Sequence, residues 1–218
     1  MKKLIFLFIV GVSLASCAQS APDSEGSLTK DANPKNLDSL QVAYFASGCF
    51  WCVEAVYESV EGVQEAVSGY SGGVIKNPTY EQICTGRLEH AEAVKVYYDS
   101  SIVSYSTLVD VFFNSHDPST RNAQGPDRGP QYRSIAFYTN DAEKTLIDSK
   151  ISALKKAKTH SSITTQVKKF DVFYDAEDYH QDYERLHPDQ GYIQGVSVPR
   201  LNKFKKKMPE VLKSSEKH

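Results

Sequence analysis

Val42-Ala43-Tyr44-Phe45-Ala46-Ser47-Gly48-Cys49-Phe50-Trp51-Cys52 passes from one kind of backbone periodicity to another. Residues 42–46 form a short apolar run that suits a buried strand, and Ser47-Gly48 ends it. From Cys49 the period changes: Trp51, Val53, Val56, Tyr57 and Val60 recur at three- and four-residue spacing, a helical face that Gly62 stops. A strand, a glycine turn and a helix in that order put Cys49 at or near a helix N-terminus.

Downstream, residues 63–70 read as a strand closed by Ser71-Gly72-Gly73, and residues 91–98 as another with Val94 and Val96 on one face. Between them lies an irregular stretch around Asn77-Pro78-Thr79-Tyr80. The pattern then predicts a helix over 106–113, a strand over 133–138, a helix over 141–154 and a strand over 164–170. Helices and strands alternate without a doubly wound rhythm, so the fold expected is α+β: a two-layer sandwich with a mixed β-sheet on a ferredoxin-like core. Residues 115–131 carry three Pro and two Gly without periodicity, and a loop of that length inside a compact domain is more often functional than idle.

Ahead of this domain stands a different kind of sequence. Lys2 and Lys3 precede an apolar run over 4–14, followed by Ala15, Ser16 and Cys17. The run is shorter than the roughly 20 residues a membrane-spanning helix needs, so 1–16 reads as a signal peptide. Leu14-Ala15-Ser16-Cys17 resembles the bacterial lipobox, in which cleavage leaves a lipid-bearing cysteine; a plain secretory peptide cut near Ser16 or Ala18 fits the same residues. Residues 17–40 are rich in Ser, Asp, Ala and Pro and lack the apolar residues to build a core, which reads as a flexible tether. The organisation expected is therefore signal peptide 1–16, tether 17–40, catalytic domain 41–200 and a solvated basic tail 201–218 carrying Lys203, Lys205, Lys206 and Lys207. An exported, membrane-anchored lipoprotein is the expected location.

With 25 basic and 27 acidic residues the chain has no field favouring nucleic acid or an anionic surface. If Cys17 carries lipid, three thiols remain, Cys49, Cys52 and Cys84, too few and too oddly numbered for a disulfide scaffold. A working thiol fits better. A helix N-terminus favours thiolate over thiol, and Phe50 and Trp51 beside it form an apolar wall able to receive a methyl group and contact a thioether sulfur. A thioredoxin-like disulfide oxidoreductase using Cys49 and Cys52 fits the same spacing. Cys84 is expected to be a buried, inert thiol. His90, His116, His180 and His187 show no recognisable ligand spacing, so no metal is assigned, and no cofactor is expected.

Gly48-Cys49-Phe50-Trp51, Ser68-Gly69-Tyr70-Ser71-Gly72-Gly73, Asn77-Pro78-Thr79-Tyr80, His90-Ala91-Glu92-Ala93-Val94, His116-Asp117-Pro118 and Gln131-Tyr132-Arg133-Ser134 stand in one order with matching gaps. Over residues 42–198 the chain resembles the peptide methionine sulfoxide reductase A family. The resemblance implies that Cys49 attacks the sulfoxide sulfur, that Phe50 and Trp51 form the methyl-binding wall, and that Glu92 is the acid. It further implies that Tyr80 and Tyr132 hold the sulfoxide oxygen and that Asp127 lies near the pocket. The implied substrates are the S epimer of methionine sulfoxide, free or in oxidised proteins, and the implied reductant is a thioredoxin-like protein; a monomer is expected. The chemistry asks for these residue types: a sulfoxide is a poor electrophile until its oxygen is protonated, and a glutamate is an acid at neutral pH only when burial raises its pKa.

The sequence departs from the family pattern in three places. Gly191-Tyr192 is followed by Ile193 where many members carry a recycling cysteine, Cys52 stands where Gly or Ser is frequent, and Arg128 replaces a frequent His. Only Cys52 and Cys84 can therefore resolve a sulfenic acid on Cys49. Cys52, one helical turn along, is expected to do so.

Overall fold

The computed structural model describes residues 37–160 and 162–217; the expected signal peptide, Cys17 and nearly all of the expected tether lie outside them. The domain begins with β1 (Gln41–Ser47) and α1 (Phe50–Glu58), followed by β2 (Val63–Ser71), α2 (Tyr80–Cys84), β3 (Ala91–Tyr98) and α3 (Tyr105–Ser115). A small hairpin, β4 (Ala123–Gln124) with β5 (Asp127–Arg128), precedes β6 (Ser134–Tyr138) and α4 (Asp141–Ala157). Then come β7 (Gln166–Lys169), β8 (Phe173–Asp175), α5 (Tyr183–Leu186) and α6 (Val198–Lys207).

Six strands form one sheet in the order β7-β6-β1-β3-β2-β8. Every neighbouring pair is antiparallel except β6 with β7, so the sheet is mixed, as expected. The strand period of two sorts side chains between its faces. Ala43, Phe45, Val94, Val96 and Ala136 join the larger core, which includes Val53, Val56 and Tyr57 of α1, Leu108, Val111 and Phe112 of α3, and Ile147 of α4. Phe45 stacks between Tyr57, 5.1 Å away, and Phe112, 5.3 Å away. Ala46, Ala91, Ala93, Ile135 and Phe137 line the opposite face, where Tyr44 and Phe170 stack at 3.7 Å and Phe173 packs beside them. Both faces of β1 and β3 are thus covered, which is why their sequences read as continuous apolar runs.

The C-terminal segment corrects the expected solvated tail. Leu201, Phe204 and Met208 repeat on one side of α6 and beyond it; Phe204 and Met208 are buried, and the lysines occupy the other side. Leu212, also buried, bridges to Val60, while Glu61 N–H donates to the Val211 carbonyl and Lys213 N–H to that of Ser59. This returning strand-like segment claims the backbone just after α1, so the helix stops at Glu58 rather than running on to Gly62. Residues 201–217 belong to the domain.

Candidate active site

The turn that delivers Cys49 to the surface of the core depends on Gly48. Its φ is +97°, and a Cβ there would lie 2.7 Å from Gln124 Cβ, so a side chain is excluded on both counts. Cys49 occupies the N-cap position of α1 and is almost fully buried. Phe50 N–H, an unpaired donor of the first helical turn, donates to Glu92 Oε2 at 3.0 Å. Glu92 sits on the helix-facing side of β3, 1% exposed, flanked along the strand by Ala91 and Ala93. Burial pushes its carboxyl up to about 8, against the Phe50 hydrogen bond and helped by the nearby negative groups Asp127 and Cys52. It is a carboxylic acid at neutral pH, placed at the thiol-bearing end of the helix.

Two phenols share that space. Tyr80 opens α2, whose start is tied down by a Thr79–Gln82 capping box, and Tyr132 closes the 3-10 turn Pro130–Tyr132. Burial first and the Glu92 charge second raise both phenols, keeping them protonated donors. Phe50 packs 6.4 Å from Tyr80 and 5.9 Å from Tyr70. Trp51 lies flat on Tyr183 at 3.8 Å, and its indole N–H donates to His180 Nδ1 at 3.2 Å. The expected functional loop 115–131 folds as the β4–β5 hairpin and brings in Asp127, which accepts from Tyr192 Oη at 2.7 Å.

Cys52 is also buried, one turn along α1, with Sγ 3.8 Å from Tyr192 Oη. The two neighbouring thiols interact strongly enough to titrate as a pair. Burial, the Cys52 sulfur and the Glu92 carboxylate push Cys49 up; the Cys49 thiol, the Arg200 guanidinium and the Ser197 hydroxyl hold Cys52 down at about 6. Arg200 is fixed by donating Nε–H to the Ser115 carbonyl and a terminal N–H to Ser47 Oγ. Loss of solvent around Cys49 therefore acts against the helix dipole, which is worth about 1 kcal/mol.

Cys84 differs from expectation. It is exposed, at the end of α2 near the Tyr80 phenol, rather than buried in the core. Cys49, Phe50, Trp51, Cys52, Tyr80, Glu92, Asp127 and Tyr132 all converge. Tyr192, Arg200, Glu177, His180 and Tyr183 complete the cluster and are absent from the sequence reading as site residues, because each joins it through contacts distant in sequence: His180 and Tyr192 reach α1, and Glu177 reaches Tyr70 of β2 across 107 residues. The Asp178-Tyr179-His180-Gln181-Asp182-Tyr183 run, dense in aromatic and imidazole rings, was the available signal.

A buried acid, paired thiols and phenols around an aromatic wall coincide with the sequence profile of the peptide methionine sulfoxide reductase family, which matches residues 41–212. The chain belongs to that family. A peptide methionine sulfoxide reductase from Polynucleobacter asymbioticus is 42% identical over 82% of this chain and 94% of its own length. One from Saccharolobus solfataricus is 44% identical over 81% and 99%. The crystal structure of Mxr1 from Saccharomyces cerevisiae in reduced form, 32% identical, superposes with a TM-score of 0.65 over 69% of this chain and 87% of that one.

A second buried acid supports the reductase helix from behind. Glu54 of α1 accepts from Asp182 N–H and shares a hydrogen bond with the Ser68 hydroxyl, and burial pushes it up to about 9. Together with Glu58 and Asp182 it forms the group of metal-type ligands found among the described residues, but both its oxygens are already engaged. The folded chain keeps the Glu54 proton while the unfolded chain releases it, so this group loses stability for the fold as pH rises from about 4.5 to about 9. Glutamine at 54 can donate to Ser68 and accept from Asp182 without a charge. Urea midpoints of Glu54→Gln are expected to match wild type near pH 5 and to exceed it at pH 9.

Proposed function

We propose that this chain repairs methionine S-sulfoxide, in proteins and as the free amino acid, with Cys49 as nucleophile, Glu92 as acid and Cys52 as the resolving thiol. The activity is thiol-dependent reduction of methionine sulfoxide to methionine. The observation that carries the assignment of roles is the buried Glu92 carboxyl, held protonated and bonded to the N–H of the residue after Cys49. A sulfoxide oxygen needs such an acid as its bond to sulfur breaks.

The residues account for each proton. The pair Cys49–Cys52 shares one negative charge, and with that charge on Cys49 the thiolate attacks the sulfoxide sulfur. Glu92 gives its proton to the departing oxygen while Tyr80 and Tyr132 donate to it, and Phe50 and Trp51 receive the methyl group. Methionine leaves, and the oxygen stays as a sulfenic acid on Cys49. Cys52 then attacks that sulfur; its proton and the hydroxyl leave as water, giving a Cys49–Cys52 disulfide. A thioredoxin-like dithiol returns the pair to the reduced state, so the electrons balance on thiols alone. Asp127, bonded to Tyr192 beside Cys52, keeps that phenol oriented toward the substrate-binding side.

The proposal extends to architecture and location. Connectivity β1-α1-β2-β3-α3-β6 and sheet order β6-β1-β3-β2 support a ferredoxin-like two-layer core, with β7 and β8 added at the edges. The lipobox-like ending at Cys17 supports export and lipid anchoring; among the described residues no helix is long and apolar enough to cross a membrane.

Cys52→Ser tests the resolving role. The variant is expected to make about one methionine per enzyme in a single turnover, to accumulate a dimedone-reactive sulfenic acid and to lose recycling by thioredoxin. Cys84→Ser, which removes an exposed thiol at the end of α2 while Cys49 and Cys52 are buried, is expected to recycle normally. An intramolecular disulfide in turned-over Cys52→Ser would transfer the role to Cys84.

A further inference from the structure

A cavity of about 380 Å³ opens between the loop that precedes β4 and the starts of β6 and β7. None of the residues lining it belongs to the thiol cluster, and none is acidic: Arg121, Asn122, Arg133, Gln166 and three hydroxyl residues form its walls. Arg133 decides its character. The side chain is 9% exposed, yet its partners are uncharged: Nη1 donates to the Pro130 carbonyl at 2.8 Å, Nη2 to the Glu89 carbonyl at 2.6 Å and Nε to Gln166 Oε1 at 3.4 Å. These oxygens take three of the five N–H groups of the fork but do not neutralise it. Burial accordingly pulls the guanidinium below its ordinary range, against the charge of Glu89. A buried cation bonded to neutral oxygens alone is costly, and an anion beside it removes that cost.

The other walls supply donors. Because Arg133 Nε can only donate, the Gln166 oxygen must be the accepting end of its amide, which leaves the NH₂ group available to donate. Arg121, exposed, brings a second guanidinium to the same cavity, and it too has no carboxylate partner among the described residues. The backbone between them is fixed, since Asn122 adopts φ +50° and its carbonyl accepts the Gly129 N–H at 2.9 Å. We propose that this cavity binds a small oxyanion, a carboxylate or a phosphate, between the guanidinium groups of Arg121 and Arg133, with the Gln166 amide as a further donor. Planar guanidinium forks match the oxygens of either anion. The site reaches the chemistry through Arg133, whose terminal nitrogens tie the start of the Tyr132 turn to Glu89, three residues before Glu92. An anion that neutralises Arg133 steadies that tie, so occupancy stabilises the fold.

The test is a titration of the reduced full chain with inorganic phosphate and, separately, with acetate, at fixed pH and with ionic strength held by chloride. Proton–nitrogen correlation spectra are expected to show saturable shifts at the amides of Arg121, Asn122 and Gln166, with a Kd on the order of 1 mM. The thermal midpoint is expected to rise with occupancy. Saturation by phosphate marks a tetrahedral anion and saturation by acetate a carboxylate; either supports the site. Arg121→Gln, an exposed change outside the thiol cluster, is expected to weaken binding about tenfold and to leave reduction of a peptide S-sulfoxide unchanged. Shifts that stay linear with both ions would overturn the proposal, and so would equal affinity in wild type and Arg121→Gln.

Discussion

Cys49→Ser is expected to abolish methionine sulfoxide reduction, by on the order of 10⁴-fold or more, while leaving the fold intact. Serine is smaller than cysteine by little, and at the N-cap position its hydroxyl is a better partner for the helix start than a thiol. What it lacks is acidity. Cys49 is held above the ordinary thiol range by burial, and becomes a nucleophile by losing its proton within the pair it forms with Cys52. A serine hydroxyl is less acidic again by several orders of magnitude and has no such route, and an alcohol cannot be oxidised to a stable analogue of the sulfenic acid. The check is product formation in a single turnover under dithiothreitol, with circular dichroism to confirm folding. Activity within tenfold of wild type would remove Cys49 from the mechanism.

Glu92→Gln is expected to lower kcat by about 10²- to 10³-fold with little change in KM. Glutamine retains the acceptor for Phe50 N–H, so the start of α1 should stay in place, but it has no proton to give as the S–O bond breaks. The pH dependence carries the same signature. Glu92 is protonated below about 8 and charged above it, so wild-type kcat should fall as pH rises through about 8. The variant should lack the limb due to this acid. The stability sign runs the same way: a carboxyl raised from about 4.5 to about 8 in the folded chain stabilises the fold fully below 4.5 and loses that contribution as pH approaches 8. An effect confined to KM would reassign Glu92 to substrate positioning.

The elements that were legible from the sequence are those whose burial is set locally. β1 and β3 announce themselves because both their faces are covered, and α1 because Val53, Val56 and Tyr57 recur on its core face. Two elements carried a signal that went unread. Thr79-x-x-Gln82 is a capping box for α2, masked by its short length, and Leu201, Phe204 and Met208 have helical spacing, masked by four lysines. The chemistry divides in the same manner. Cys49, Phe50, Trp51 and Cys52 can be read together since they are contiguous, whereas an isolated glutamate in a strand reads as solvent-exposed until α1 is seen to end on it. His180 meets Trp51 across 129 residues and Tyr192 meets Cys52 across 140, contacts that no local pattern encodes. The charge distribution within the thiol pair is likewise invisible in sequence, because it depends on Arg200 reaching back from α6 to the β1 terminus.

One measurement bears on the central assignment more directly than any substitution. Reduced enzyme is mixed with a peptide carrying methionine S-sulfoxide, one to one and without added reductant, and both partners are analysed by mass spectrometry. The account predicts that the peptide loses one oxygen atom while the enzyme loses two hydrogens, and that fragmentation places the new bond between Cys49 and Cys52. A peptide that keeps its oxygen, with the enzyme unchanged in mass, would contradict it.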